Sequence, residues 1–103
     1  MSTNKTLDAA QALHLQGRLA EAETLYREVL RWQPDAPQAL EGLGVLAYQH
    51  GDANEAAKLF ARGVVARPEA PRFHANLGES LRILRRFDEA AVHLSQALTL
   101  DPV

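Results

Sequence analysis

The chain has 103 residues, 47% of them hydrophobic and 23% charged, with a formal net charge of -2. Those figures suit one small globular domain and argue against disorder, and the lack of an overall basic field gives a nucleic-acid partner no electrostatic support. With no cysteine, disulfides, thiol catalysis and thiolate metal sites are all excluded, and the expected location is the cytoplasm.

The N-terminal stretch MSTNKTLDAAQAL lacks the apolar region and cleavage pattern of a secretory signal. No apolar run approaches the roughly 20 residues that span a bilayer, so no membrane partner is expected. The governing feature is a period. Pro34, Pro68 and Pro102 stand 34 residues apart and divide the chain into residues 3 to 36, 37 to 70 and 71 to 103. Equivalent positions agree beyond the prolines: Leu43-Gly44 with Leu77-Gly78, Gly17 with Gly51, and Glu21-Ala22 with Glu55-Ala56 and Glu89-Ala90. A fixed period of this length marks a stacked repeat architecture, in which each unit buries its apolar face only against its neighbours.

The units read as two helices each. The first opens weakly, with Thr6, Ala9, Ala10 and Leu13, turns at Gly17, and recovers through Ala22 and Tyr26. In the second, Leu40, Leu43, Gly44 and Ala47 make one helical face, and Ala56, Leu59, Phe60 and Gly63 make another. Between them HGD supplies Gly51 for a left-handed helix end and Asp52 to accept N–H bonds at the next start. The third unit repeats this with Leu77, Gly78 and Leu81, then Ala90, Leu94 and Ala97. Its turn, however, has Arg85 where the others have glycine, so the backbone must accept a left-handed penalty or adopt another geometry.

Between units, QPDAPQAL and RPEAPRFH break the chain twice with proline. Pro34 and Pro68 stop the helix before them, whereas Pro37 and Pro71 suit the first turn of the helix that follows, where no intrahelical N–H bond is lost. Small residues recur where paired helices must approach: Ala10, Gly44 and Gly78 on first helices, Ala22, Ala56 and Ala90 on second helices. Gly63 is expected to loosen the middle unit slightly.

Taken together, the residues resemble the tetratricopeptide repeat (TPR), a 34-residue helix-turn-helix with a large residue, Leu-Gly, an aromatic, then Ala, an aromatic, Ala and Pro. The second unit matches through Leu40, Leu43, Gly44, Tyr48, Ala56, Phe60 and Pro68, and the third through Leu77, Gly78, Leu81, Ala90, Leu94, Ala97 and Pro102. The resemblance implies an all-α, right-handed solenoid of three hairpins over residues 1 to 103. It also implies a non-catalytic scaffold that binds a protein or peptide in a concave groove lined by the first helix of each unit.

On that basis the groove candidates are Gln11, His14, Glu41, Val45, Tyr48, Arg72, Asn76, Glu79 and Arg82. Tyr48 and Arg82 are equivalent positions in neighbouring units and are expected to face each other, with aromatic and guanidinium surfaces of the kind enriched at hot spots. The alternative is that Tyr48 packs between units while Arg82 pairs with Glu79 or Glu41. One TPR subtype grips a C-terminal carboxylate with lysine, arginine and asparagine. Here the corresponding positions are Leu7, Gln11, Gly42, Arg72 and Asn76, so an EEVD-like tail is not expected.

Catalytic patterns are missing. The four histidines, His14, His50, His74 and His93, form no HxxxH pair and are expected to be solvated or packing residues, and there is no GxGxxG, P-loop or GxSxG. No cofactor or metal is expected. Two other readings stay open. The chain resembles the repeat region that precedes glycosyltransferase domains akin to O-GlcNAc transferases, which would make it part of a larger enzyme. It also leaves Phe87, Ala91, Leu98 and Leu100 on the side of the last helix where a following helix would dock, an uncapped end expected to recruit another copy or a partner helix.

Overall fold

Among the described residues six helices follow one another: α1 (Thr3–Leu15), α2 (Leu19–Trp32), α3 (Pro37–Gln49), α4 (Ala53–Ala66), α5 (Pro71–Ile83) and α6 (Phe87–Leu100). This computed structural model describes residues 2–102; Met1 and Val103, which the sequence division includes in the domain and in its third unit, lie outside the described residues. No strand occurs among the described residues. The helices pack as three hairpins, α1 with α2, α3 with α4 and α5 with α6, and successive hairpins join through α2–α3 and α4–α5. The stack measures 41 × 26 × 24 Å.

The helix boundaries follow the proline logic. Helices α2 and α4 stop at Trp32 and Ala66, short of Pro34 and Pro68, and α3 and α5 begin on Pro37 and Pro71. At each joint one bond closes the turn, from Ala36 N to Gln33 O and from Ala70 N to Arg67 O. The proline carbonyls are captured too, Pro34 O by the Arg62 guanidinium at 2.9 Å and Pro68 O by His74 Nε2 at 2.8 Å.

The three turns inside the hairpins share one bond pattern. Arg18 N donates to Leu13 O, Asp52 N to Ala47 O and Arg86 N to Leu81 O, and the residue before each donor bonds three residues back. This Schellman closure needs a left-handed residue. Gly17 (φ 78°) and Gly51 (φ 82°) supply it, and Arg85 takes it as well at φ 63°, so the third turn accepts the penalty and keeps the geometry.

A continuous core runs through the stack, built from Leu40, Leu43, Leu46, Val29, Phe60, Phe73, Leu77 and Leu81 with Ala10, Ala22, Ala56 and Ala90 at the close approaches. Gly44 and Gly78 are close approaches as expected: a Cβ on either would collide with Phe60 or Leu94 of its own hairpin. Gly63 corrects the expectation of looseness. The ring of Phe73 lies where its Cβ would be, so the glycine is a notch that seats an aromatic from the next hairpin. Gly42 seats the Tyr26 ring at the preceding joint in the opposite direction, helix α3 receiving a ring from α2.

Candidate functional site

Helices α1, α3 and α5 lie side by side, and polar contacts tie them along one face. Gln49 Oε1 on α3 accepts from His14 Nε2 on α1 at 3.2 Å, which leaves His14 Nδ1 to accept from the Tyr26 hydroxyl at 3.3 Å. Burial, helped by the nearby Glu41 carboxylate, holds the Tyr26 phenol above its ordinary range, so it remains a neutral donor. On the other side of α3, Arg72 donates to both oxygens of Glu41 at 3.2 and 2.9 Å, bridging neighbouring units.

Tyr48 and Arg82 do converge, but on a carboxylate. Arg82 grips Glu79 with two bonds of 3.0 and 2.5 Å, and the Tyr48 hydroxyl points to the same carboxylate at 3.5 Å. The Arg82 hydrogen bond, outweighing the partial burial, holds Glu79 below the usual carboxylate range. Arg82 therefore follows the pairing alternative, while Tyr48 stays 39% exposed instead of packing away between units. These pairs are largely solvent-exposed and screened, so they order the surface more than they stabilise it.

Between α3 and α5 lies a hollow of ≈ 260 Å³ lined by Val45, Tyr48, Phe60, Asn76 and Glu79. Its floor is apolar, and the Asn76 side-chain amide on its wall makes no hydrogen bond among the described residues. Of the groove candidates, Val45, Tyr48, Asn76 and Glu79 meet at this hollow. Arg82 is attached through Glu79, Glu41 and Arg72 form a separate bridge, His14 is spent on Tyr26 of α2 and Gln49 of α3, and Gln11 is exposed on α1 without a part in either.

On the last helix, Phe87, Leu98 and Leu100 are 54%, 63% and 42% exposed, and Ala91 is exposed too. Ala57 and Val64, one period before Ala91 and Leu98, are covered where α5 lies on α4. Phe87 differs from the rest of that set, because the Arg85 guanidinium lies 5.5 Å from its ring centroid and ties it to the turn.

One contact departs from the expectation that the histidines are solvated or packing residues without a shared bond. His74 on α5 and His93 on α6 face each other with their Nδ1 atoms 3.3 Å apart. The absence of an HxxxH spacing hid a pair that forms between helices. The available signal was positional, since His74 and His93 stand one period after Leu40 and Leu59.

The tetratricopeptide repeat family profile matches residues 13–78, and a second profile of the same description matches residues 71–103. The chain belongs to the tetratricopeptide repeat family. As a TPR protein it is similar, at 49% identity over 57 residues, to cellulose synthase 2 operon protein C of Komagataeibacter xylinus, a match that covers 55% of this chain and 4% of that one. Among solved structures, a mutant of the Thermobaculum terrenum O-GlcNAc transferase superposes with a TM-score of 0.89 at 30% identity, over 97% of this chain and 19% of that chain. The first TPR of Spaghetti, solved with an HSP90 peptide, superposes at 0.91 with 16% identity, over 97% of this chain and 79% of that one, a likeness of fold. The chain thus spans only a small fraction of the first two relatives.

Within this TPR stack, the positions that correspond to a carboxylate grip are poorly equipped. Gly42 lies beneath the Tyr26 ring and projects nothing, Leu7 packs against the core, and Arg72 is bridged to Glu41.

Proposed function

We propose that this TPR unit is a non-catalytic interaction module that binds an extended protein or peptide segment across α1, α3 and α5, with the hollow between α3 and α5 as its anchor. The observation that carries the reading is the grouping of Val45, Tyr48, Asn76 and Glu79 around that hollow, an apolar floor with an unbonded amide and an exposed aromatic on its rim. TPR domains are commonly protein-interaction modules, which supports the class. The occupant we favour inserts a small apolar side chain while its backbone bonds to Asn76. A free C-terminal carboxylate is not favoured, because the cations on this face are already paired.

The reading is tested by selecting peptides from a random library on the 103-residue chain and measuring their affinity for the Tyr48→Ala/Arg82→Ala variant. Affinity is expected to fall by at least about tenfold, since truncating a central hot spot typically costs about 2 kcal/mol or more, while helicity by circular dichroism stays unchanged. Peptides that bind the variant as well as the parent would place recognition elsewhere.

A second reading, that the repeats serve a larger enzyme, is supported by the 30% identity to the transferase over nearly the whole of this chain. The length of the natural open reading frame tests it, and a frame with no further domain removes it.

A further inference from the structure

The second and third hairpins close differently at one place. In the second, Leu40 and Leu59 are buried, 0% and 4% exposed. In the third, the residues one period on are His74 and His93. Two imidazoles replacing two leucines cost stability unless each buried nitrogen finds a partner.

His74, 5% exposed, donates from Nε2 to Pro68 O in the α4–α5 joint at 2.8 Å. Its Nδ1 meets His93 Nδ1 at 3.3 Å, with ring centroids 5.5 Å apart and planes inclined by 25°. A centroid distance longer than the nitrogen distance by about two ring radii means that the rings meet edge to edge. The contact is therefore an N–H···N bond and not a face-to-face stack.

The proton positions follow. With Nε2–H committed to a carbonyl, neutral His74 offers only a lone pair at Nδ1, so His93 must donate from Nδ1. One extra proton, on His93 Nε2, leaves the N–H···N bond itself intact, although burial disfavours that charge. A second proton, on His74 Nδ1, sets N–H against N–H and cation against cation at 3.3 Å. The surroundings offer little relief. Lys58 from α4, Arg86 from the turn before α6 and Glu89 from α6 line the same cleft as His93, Glu89 is already bonded to Arg86 at 2.5 Å, and at the joint Arg67 and Glu69 pair with each other.

We propose that His74 and His93 form a proton-operated latch, which holds α6 on α5 and α5 on the α4–α5 joint while the pair is neutral or singly protonated and releases them on double protonation. The latch stands on the histidine geometry alone and is independent of the groove reading. Its consequence for the face described above is direct, because α5 carries Arg72, Asn76, Glu79 and Arg82.

Burial, then the neighbouring His74, holds His93 below its usual value against the pull of Glu89. The unfolded chain therefore binds protons that the folded chain resists. Stability from this source is fully present above the ordinary histidine range and declines as pH falls through about 6.5 toward the lower folded value.

The test compares urea unfolding of the parent with His74→Leu/His93→Leu, which restores the pair of the second hairpin, between about pH 7.5 and about pH 5. The parent's unfolding constant is expected to rise by up to about tenfold per pH unit for each proton taken up. The leucine variant should show only the shallower dependence left by the other groups. Equal pH dependence in the two overturns the latch. Should the leucine variant fail to fold, His93→Gln takes its place, together with amide exchange of the parent. A protection factor that falls more in α6 than in α3 on acidification supports the latch, and an equal fall in both overturns it. Imidazole nitrogen shifts by NMR give a further check: two histidines that titrate independently exclude the shared proton.

Discussion

Arg85 holds a backbone conformation that two glycines hold at the equivalent positions, and magnitudes explain why it is tolerated. The left-handed region costs an ordinary residue about 1–2 kcal/mol. Against this, arginine avoids the extra unfolded-state entropy of glycine, about 0.4–1 kcal/mol, and its guanidinium over the Phe87 ring adds about 0.5–1 kcal/mol at an exposed site. The contributions nearly cancel. Arg85→Gly is accordingly expected to change stability by less than about 1 kcal/mol in urea unfolding. Gly51→Val, which introduces a β-branched residue with no ring to compensate it, should cost more than about 1 kcal/mol. Gly63 makes the complementary point. Its missing side chain reads in isolation as looseness, yet the space is occupied by Phe73, a residue ten positions further on in the adjoining hairpin.

The second helices of the three hairpins begin in the same place but not by the same means. At the start of α4, Asp52 Oδ1 accepts from Glu55 N at 3.0 Å. At the starts of α2 and α6 the equivalent residues are Arg18 and Arg86, which cap nothing and instead pair with Glu21 and Glu89 one turn ahead. Because those pairs are more than half exposed, they contribute little, and α4 is the best anchored of the three. Asp52→Ala is therefore expected to cost about 0.5–2 kcal/mol, whereas Arg18→Ala should stay within about 0.5 kcal/mol of the parent; urea midpoints of the two variants decide it. The joints between hairpins rely on rings set into glycine notches, with Tyr26 at the first and Phe73 at the second. Because the first joint is keyed from α2 and the second from α5, the two are not interchangeable despite the shared period.

For the whole molecule, stacking leaves the two faces of a hairpin unequal. A face covered by a neighbour buries Ala57 and part of Val64, while its counterpart at the far side of the stack exposes Ala91, Leu98 and, nearby, Val92 and Leu100. An apolar surface of this kind favours association. We propose that concentrated samples of the chain associate through it. Light scattering should then give a mass above the 11.3 kDa of one copy, and Leu98→Glu/Leu100→Glu should return it to one copy. A parent that is monomeric at every concentration, or a variant that associates equally well, rejects this surface. Among the described residues no helix is long and apolar enough to cross a membrane, and no cluster of three or more histidine or acidic side chains can hold a metal ion.

The period, the six helices of the described residues, the proline joints and the close approaches at Gly44 and Gly78 are legible in residue order alone. Each of these follows from local backbone chemistry or from spacing along one helix, and both are written in consecutive residues. The tertiary structure decided which neighbour fills each notch, that Arg82 and Tyr48 share Glu79, that Arg72 is bridged to Glu41, and that His74 and His93 share a bond. These contacts join side chains on different helices. A repeat pattern specifies equivalent positions, but whether two side chains meet depends on how far apart and at what angle the helices settle, and the summed volumes of the packed core decide that.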